Sequence, residues 1–445
     1  MRGTDMLYTN KDLKKLIIPL VFEQLLAILV GMVDTVMIAG VGEAAVSGVS
    51  LVDTINILVI NITAALATGG AVAAGHYLGQ KDTENACKSA WQLLLFSVWL
   101  SVVVTAVFLA AHQPLLRVIF GQVEPAVMDN ASIYLVITAL SICPLAVYNS
   151  CAALFRSMND SRTTMLISIV MNLINLTGNA ILIYGAKIGV AGAAIATTFS
   201  RLTAAVIIMA LMFRADKAIN FRGQVTWKMD FGLIKKILYI GIPNGLENSL
   251  FQLGKILLVS LISTFGTYAI AANAVCNTLA SFNVLPGQAI NLALLSVASM
   301  CIGAGDFEQT RYYTRKLMMI STVCTILISG ILILFGPWII KIYQLTPQTE
   351  SLAVQVIRYH AVLAVFFWMP SFTLPNTLRA AGDVVWTMVI AIFSMWVFRI
   401  GFAYLFSRNL NGGLLGVWVA MTIDWAFRGL CYSLRYRSRK WERAM

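Results

Sequence analysis

Residues 167–185 read ISIVMNLINLTGNAILIYG, without one charged side chain, and residues 317–335 read LMMISTVCTILISGILILF in the same manner. About twenty consecutive apolar residues coiled as a helix cross the ~30 Å hydrocarbon layer of a bilayer. Such runs recur along the whole chain of 445 residues, of which 59% are hydrophobic and only 12% charged, with a mean hydropathy of +0.80. Soluble domains carry roughly 25% charged residues. The ten-residue alternation of a membrane barrel strand is absent, which excludes an outer-membrane barrel. Because backbone groups in hydrocarbon must bond within their own segment, a helical bundle is what remains. The fold class is thus an all-α membrane protein. The pattern predicts about twelve spans, near residues 13–39, 46–75, 89–111, 131–155, 163–184, 189–213, 236–263, 268–300, 315–335, 352–379, 385–406 and 412–434.

The first apolar stretch is too long for a cleavable signal, so MRGTDMLYTNKDLKK is read as a charged cytoplasmic lead-in. The formal charge of +12 raises the question of nucleic acid, but its distribution answers it. With the N-terminus inside, about 24 of the 32 Lys and Arg fall on the cytoplasmic side and about four on the other. The densest cluster is FRADKAINFRGQVTWKMDFGLIKK (213–236), followed by the tail RYRSRKWERAM (435–445). This asymmetry sets orientation, with both termini cytoplasmic, and predicts contact with anionic membrane lipid and no nucleic-acid partner.

The chain also repeats itself at an offset of about 224 residues, the scale of six spans. Pro19 and Glu23 in IPLVFEQ match Pro243 and Glu247 in IPNGLEN. Gly79 and Asp82 in LGQKD match Gly303 and Asp306 in IGAGD, and Gly189 and Gly192 match Gly413 and Gly416. Arg156 and Asp160 in RSMND match Arg379 and Asp383 in RAAGD, one residue out of phase. Six spans per half is an even number, so both halves enter the membrane in the same direction. The expectation is two six-helix bundles related by a pseudo-two-fold axis along the membrane normal, around a central cleft. The domains expected are an N-terminal lobe (1–213), a cytoplasmic linker loop (214–235), a C-terminal lobe (236–434) and a basic tail (435–445).

These residues resemble the multidrug and toxic compound extrusion (MATE) family over the whole chain. Pro19, Glu23-Gln24 and GMVDTVMIAG (31–40), followed by GEAAVSGVSL (42–51), are similar to the family's opening pattern. LPGQAINLALLSVASMCIGAGD (285–306) resembles its eighth-span motif, and NLTGNAILIYGAKIGVAGAAIAT (175–197) its fifth and sixth spans. The resemblance implies an antiporter that exports amphipathic, often cationic, compounds in exchange for H⁺ or Na⁺. It implies no other cofactor.

Acids inside a bilayer are costly and so mark function by default. Glu23, Asp34, Asp53 and Glu247 lie inside or near predicted spans, and Asp424 lies midway along the last. Asp34 leads: it sits near the outer end of span one, and Asp53 lies a similar distance into span two. Span five adds Asn172, Asn175 and Asn179, and span six adds Thr197. Asn175 and Asn179, four apart, share a helix face. The expected cation-coupling set is Asp34, Asp53, Asn175, Asn179 and Thr197, with H⁺ or Na⁺ held at Asp34 and no structural metal. By resemblance Asp34 matches the family's first-span coupling acid, and Asn175 and Thr197 match its polar partners. Some members carry an acid where this chain has Asn179, and an amide cannot titrate. The alternative role for Asp34 is a structural acid bonded within the helix packing. Glu23 and Asp34 are eleven residues apart on nearly one face, about 16 Å along the helix. Glu23 and Glu247 are expected to be cleft acids or, alternatively, structural acids bonded to nearby backbone or basic residues.

The halves differ chemically. Asp34 maps onto Leu258, Asp53 onto Asn277 and Asn175 onto Arg399. The second half instead holds Lys255, Arg399, Glu247 and Asp424, expected to be internally paired, with Lys255–Glu247 or Lys255–Asp424 as options. By resemblance some branches couple Na⁺ through acids in spans seven and ten, yet span ten here (LAVFFWMPSFTLPNTL, 363–378) has none.

Substrate contacts are expected from Gln24, Met32, Asn244, Phe251, Gln252, Phe282 and Gln288, with Met37, Phe366, Met369 and Trp396 as further polarizable or aromatic candidates. Pro19, Pro243 and Pro286 are candidate hinges, as are Gly69-Gly70, with ordinary kinks the alternative. The seven cysteines show no metal or redox spacing. His76, His112 and His360 are read as residues at span ends, and no P-loop or catalytic constellation occurs. Three functions compete. They are an ion-coupled multidrug antiporter, a flippase for lipid-linked saccharides, and a non-transporter such as an intramembrane enzyme, which lacks its required constellation. The first is preferred, as a monomer in a bacterial cytoplasmic (inner) membrane.

Overall fold

A computed structural model describes residues 6–121 and 124–443; residues 1–5 of the expected lead-in and 444–445 of the basic tail lie outside the described residues. All regular structure among the described residues is helical. The helices are α1 Asn10–Ala39, α2 Glu43–Gly79, α3 Thr83–Phe120, α4 Pro125–Ala139, α5 Ile142–Ser157, α6 Ser161–Gly185, α7 Val190–Met212, α8 Phe231–Ser263, α9 Thr267–Gly303, α10 Phe307–Lys341, α11 Pro347–Ala380, α12 Val384–Asn409 and α13 Gly413–Arg437. Eleven are long and apolar enough to cross a membrane, and α4 with α5, bent by 49°, makes a twelfth span.

That bent pair corrects the expectation of one continuous span over 131–155. Pro144 sits in the first turn of α5, where its ring displaces the carbonyl four residues earlier, that of Leu140. Side-chain hydroxyls bond carbonyls at the break: Thr105 Oγ1 donates to Ala139 O at 3.1 Å, and Thr198 Oγ1 to Ile137 O at 3.1 Å, which also accepts from the Leu140 N–H. Intramembrane breaks survive only with such replacements.

Most helices run beyond the apolar stretch that announces them, because polar residues cap them outside the hydrocarbon. Three of the four duplicated Asp positions do this work, and the fourth, Asp383, instead pairs with Arg435. Asp82 caps α3 by accepting from the Asn85 N–H, and Asp306 caps α10 by accepting from the Gln309 N–H. Asp160 caps α6 through the Thr163 N–H and also pairs with Lys217 at 2.7 Å. An N-cap oxygen satisfies one of the four donors that a helix start leaves open.

The chain divides into two compact units, the first from Tyr8 to Gly245 and the second from Leu246 onward together with Met6 and Leu7. The segment 214–235, read from sequence as a linker, lies against the first unit. Ile219 and Phe221 are fully buried, Trp91 Nε1 donates to Thr226 O, and Gln92 bonds both Lys228 O and the Asp230 N–H. The first unit has one core around Leu93, Phe155 and Ile208 and another around Val52, Tyr134 and Leu135. The second has its main core around Val356, Ile357 and Trp418.

Gly69, a candidate hinge, is a helix-crossing point. A Cβ there would lie 2.3 Å from the carbonyl oxygen of Ile237 on α8, and one on Gly70 would meet Leu93. Small residues let membrane helices approach at the backbone. Gly69→Leu is therefore expected to lower the melting temperature of the purified protein, at a cost of about 1–3 kcal/mol. Gly330→Ala, where no atom lies within 4 Å of the added carbon, is expected to leave it nearly unchanged. Thermal unfolding followed by fluorescence-detected size exclusion measures both; equal losses would contradict the crossing.

Candidate functional site

Each unit ties its first intramembrane glutamate to the arginine of the repeat's Arg-x₃-Asp motif. In the first unit Glu23 lies 3.6 Å from Arg156 and accepts from Thr164 Oγ1 at 3.1 Å. In the second, Arg379 Nη2 donates to both Glu247 oxygens at 2.7 Å, and Arg428 approaches the same carboxylate at 3.4 Å. The two acids expected as cleft groups are thus bonded to basic partners, the structural alternative raised above. The second pair is the more enclosed, with side-chain exposures of 7% for Glu247 and 2% for Arg428 against 13% for Glu23.

The first unit holds a cavity of about 230 Å³ lined by Asp34, Asp53, Asn179, Thr197, Tyr134 and Arg201, with Thr35 and Ser50 beside them. Asp34 lies a turn and a half before the end of α1, and the short turn at Gly40–Gly42 brings Asp53 back on α2. Asn179 Nδ2 donates to Asp34 Oδ1 at 2.8 Å. With its amide nitrogen turned to the carboxylate, Asn175 donates to both Asp34 oxygens at 3.0 and 3.1 Å and accepts from Thr197 Oγ1 at 3.1 Å. That orientation is the one that pairs donors with acceptors. Asn175 and Asn179 reach one carboxylate because they stand four apart on α6, which widens into a π-helical stretch, Ala180–Gly185, immediately after them. Asn179 Oδ1 is buried without a partner and adds a second oxygen type to the site.

Of the expected coupling residues, Asp34, Asn175, Asn179 and Thr197 form one bonded network, and Asp53 joins them on the cavity wall, approached by Asn56 and Tyr134. Asn172 stands apart, bonded to Ser168. Arg201 and Tyr134 were missed. Arg201 follows Thr197 by four residues on α7, so it shares the face that meets the cavity, and its Nη1 donates to Ser141 Oγ at the α4–α5 break at 2.8 Å. A lone arginine inside a span was a signal as strong as the acids.

The second unit has a cavity of about 250 Å³ lined by Lys255, Asn273, Asn277, Ser281, Arg399 and Trp418. Arg399 stands in a π-helical stretch, Met395–Gly401. Neither expected partner of Lys255 is its own. Glu247 is held by Arg379 and Arg428, while Asp424 lies 3.5 Å from Arg399 and accepts from Ser394 Oγ. Lys255 instead rests over the Phe251 ring, 5.2 Å from its centre, a ring that Arg399 also faces at 4.9 Å. His360, read as a span-end residue, is 2% exposed between Trp418 and Trp425, because α11 runs past it through the second unit's core.

The other substrate candidates divide. Met37, Met369 and Asn244 are buried, Met369 against Ser321 Oγ. Gln24, Gln252, Phe251 and Phe282 are half-buried, and Met32, Gln288, Phe366 and Trp396 are exposed. Pro19, Pro243 and Pro286 lie within helices that continue through them.

Twelve apolar spans enclosing charged, hydrogen-bonded cavities define a polytopic membrane transporter. The profile of the MatE family matches residues 19–181 and again 243–405, a displacement of 224 residues (243 − 19), as the internal repeat requires. The chain belongs to this family, the multidrug and toxic compound extrusion transporters, which are transporters and not enzymes. Among its relatives, a probable multidrug resistance protein NorM of Thermotoga maritima is 26% identical over 98% of this chain and 93% of its own. The uncharacterized transporter YisQ of Bacillus subtilis is 27% identical over 95% and 93%. Two solved structures share the fold with a TM-score of 0.89 over 96% of this chain and 95% of theirs. One is an outward-facing multidrug resistance MATE transporter, 22% identical; the other is a Pyrococcus furiosus transporter of the same superfamily, 21% identical, described as having a binding pocket of reverse polarity.

The enclosed ion pair carries a test. Glu247→Gln strands Arg379 and Arg428 with no carboxylate, and is expected to cost about 3–5 kcal/mol. Glu23→Gln, at a longer and more exposed pair, is expected to cost less. Melting temperatures of the two variants give the order, and a larger loss at Glu23 would contradict it.

Proposed function

We propose that the protein is an ion-coupled secondary antiporter that exports amphipathic, often cationic, compounds by alternating access, with H⁺ or Na⁺ exchanged at Asp34. The observation that carries this reading is one carboxylate held by two asparagine amides inside a cavity of about 230 Å³. A carboxylate in a bilayer costs several kcal/mol unless it is satisfied. Here three amide hydrogen bonds and the nearby Arg201 charge hold it ready, and the cavity leaves room for a bound ion. A cavity of this volume is smaller than the roughly 300–1,000 Å³ that encloses a drug-sized molecule, so it suits an ion and its waters. Asp34, the Asn179 Oδ1 atom and Thr197 offer hard oxygen ligands of the kind Na⁺ takes; a proton needs only Asp34. Since Asn179 is an amide, the proton-carrying role rests on Asp34 and Asp53. The relatives named as probable multidrug resistance proteins support the substrate class. The positive-inside charge distribution supports a cytoplasmic membrane with both termini inside.

A second reading, a flippase for lipid-linked saccharides, is favoured by the basic cavity of the second unit, since such lipids carry phosphate. Efflux of a cation separates the two. Cells or proteoliposomes with the wild-type protein are expected to expel ethidium down an imposed Na⁺ or H⁺ gradient, and Asp34→Asn at equal expression is expected to reduce that rate at least about tenfold, as losing one transition-specific interaction of 1.4 kcal/mol or more would. Normal export by Asp34→Asn refutes the coupling site, and no export by either protein turns the reading toward the flippase.

A further inference from the structure

The second unit buries more positive charge than it neutralises. Lys255, Arg379, Arg399 and Arg428 share the two carboxylates of Glu247 and Asp424. Glu247 is taken up by Arg379 and Arg428, and Asp424 faces Arg399 at 3.5 Å with its Oδ2 making no hydrogen bond. Among the described residues no carboxylate lies within ion-pair distance of Lys255. Unpaired charge in a membrane interior is rare because hydrocarbon cannot solvate it. The three cations nearest the Phe251 ring, Lys255, Arg399 and Arg428, share one aromatic face-and-edge field, which is too weak to stand in for a counterion.

The donors left over point the same way. Arg399 is 8% exposed, lines the cavity, and its Nε has no acceptor. Arg428 nearby is 2% exposed, with Nε and Nη1 also open. A guanidinium with a free Nε edge is shaped to hold an oxyanion. Asn273 accepts from Trp418 Nε1 through its oxygen, which leaves its amide nitrogen to donate, and Asn277 and Ser281 extend the polar wall on α9.

The repeat shows how this came about. At the offset of 224 residues, Lys255 stands where the first unit has Gly31, Leu258 where it has Asp34, Asn277 where it has Asp53, and Arg399 where it has Asn175. The second cavity thus has no acid where the first has two, and two cations, Lys255 and Arg399, where the first has one, Arg201, whose counterpart is Trp425. A volume of about 250 Å³ admits an anionic group and some water but not a whole drug-sized molecule.

We propose that this second-unit cavity is an anion-binding site that takes the carboxylate, sulfonate or phosphate group of an amphipathic molecule between Lys255 and Arg399. The transporter reading enters only in taking the ligand to be amphipathic. The occupant is a transported organic acid or zwitterion, or a phospholipid headgroup, and one set of measurements tells them apart.

The full-length protein is placed in phosphatidylcholine nanodiscs, and binding of norfloxacin, which bears a carboxylate, is compared with that of its methyl ester. Retention of phosphatidylglycerol over phosphatidylcholine is measured on the same protein by native mass spectrometry. The wild type is expected to prefer the more negatively charged member about tenfold in at least one of these pairs. Lys255→Met is expected to abolish the preference and Lys255→Arg to restore it, with size-exclusion profiles confirming that both variants fold. Preference for norfloxacin identifies a transported anion, and preference for phosphatidylglycerol alone identifies the headgroup. No preference in either pair, or a preference that survives in Lys255→Met, overturns the proposal. Binding needs no gradient, so a failure of ion-coupled export would leave this result standing.

Discussion

A carboxylate placed in hydrocarbon has to find a donor, and the arrangement of this chain follows from how each one does. Glu23 reaches Arg156 and Thr164, Glu247 reaches Arg379 and Arg428, and Asp424 reaches Arg399 and Ser394. The motifs that repeat, Pro-x₃-Glu in the first helix of each half and Arg-x₃-Asp further on, supply the two ends of one ion pair in each unit. Those pairs oblige α1 to lie by the end of α5, and α8 by the end of α11. The helices then pack through glycine at Gly69 and through the alanine-rich faces of α2 and α9. Asp34 is the exception: amides bond it, and Arg201 lines the same cavity.

Gene duplication explains why such a contrast is easy to read. Two units that keep the same Pro, Glu, Arg and Asp landmarks differ in charge at positions lining their cavities. Asp34 and Asp53 in one unit stand against Leu258 and Asn277 in the other, while Lys255 and Arg399 replace Gly31 and Asn175. Substitutions that only preserved packing would have exchanged apolar side chains of similar volume. An exchange of charge sign inside a membrane has a large energetic cost and is retained only where a ligand or a partner offsets it.

Much of this was legible in the sequence, for identifiable reasons. Span number and the duplication were readable because bilayer thickness forces long apolar runs and because the halves kept their Pro, Gly and Asp positions. The network around Asp34 was readable because an acid in a span is rare, and because Asn175 and Asn179 stand one helical turn apart. The partners of the second-unit charges were not, since pairing depends on which helix faces which. Glu247 is four residues past Pro243 but finds its arginine 132 residues away. The break at Leu140–Ser141 was hidden because the stretch stays apolar through it, although Pro144 marked the place. Arg201 was as legible as the acids, since a cation inside a span is as informative as an anion.

The claim that most depends on this account is that Asp34 exchanges its bound cation for substrate. Purified protein can be titrated with ethidium in weakly buffered solution, with a pH indicator and a sodium-sensitive dye recording what is released. The account predicts that the wild type releases H⁺ or Na⁺ as ethidium binds and that Asp34→Asn releases neither. Ethidium binding without release of either ion from the wild type, or equal release from Asp34→Asn, would contradict it.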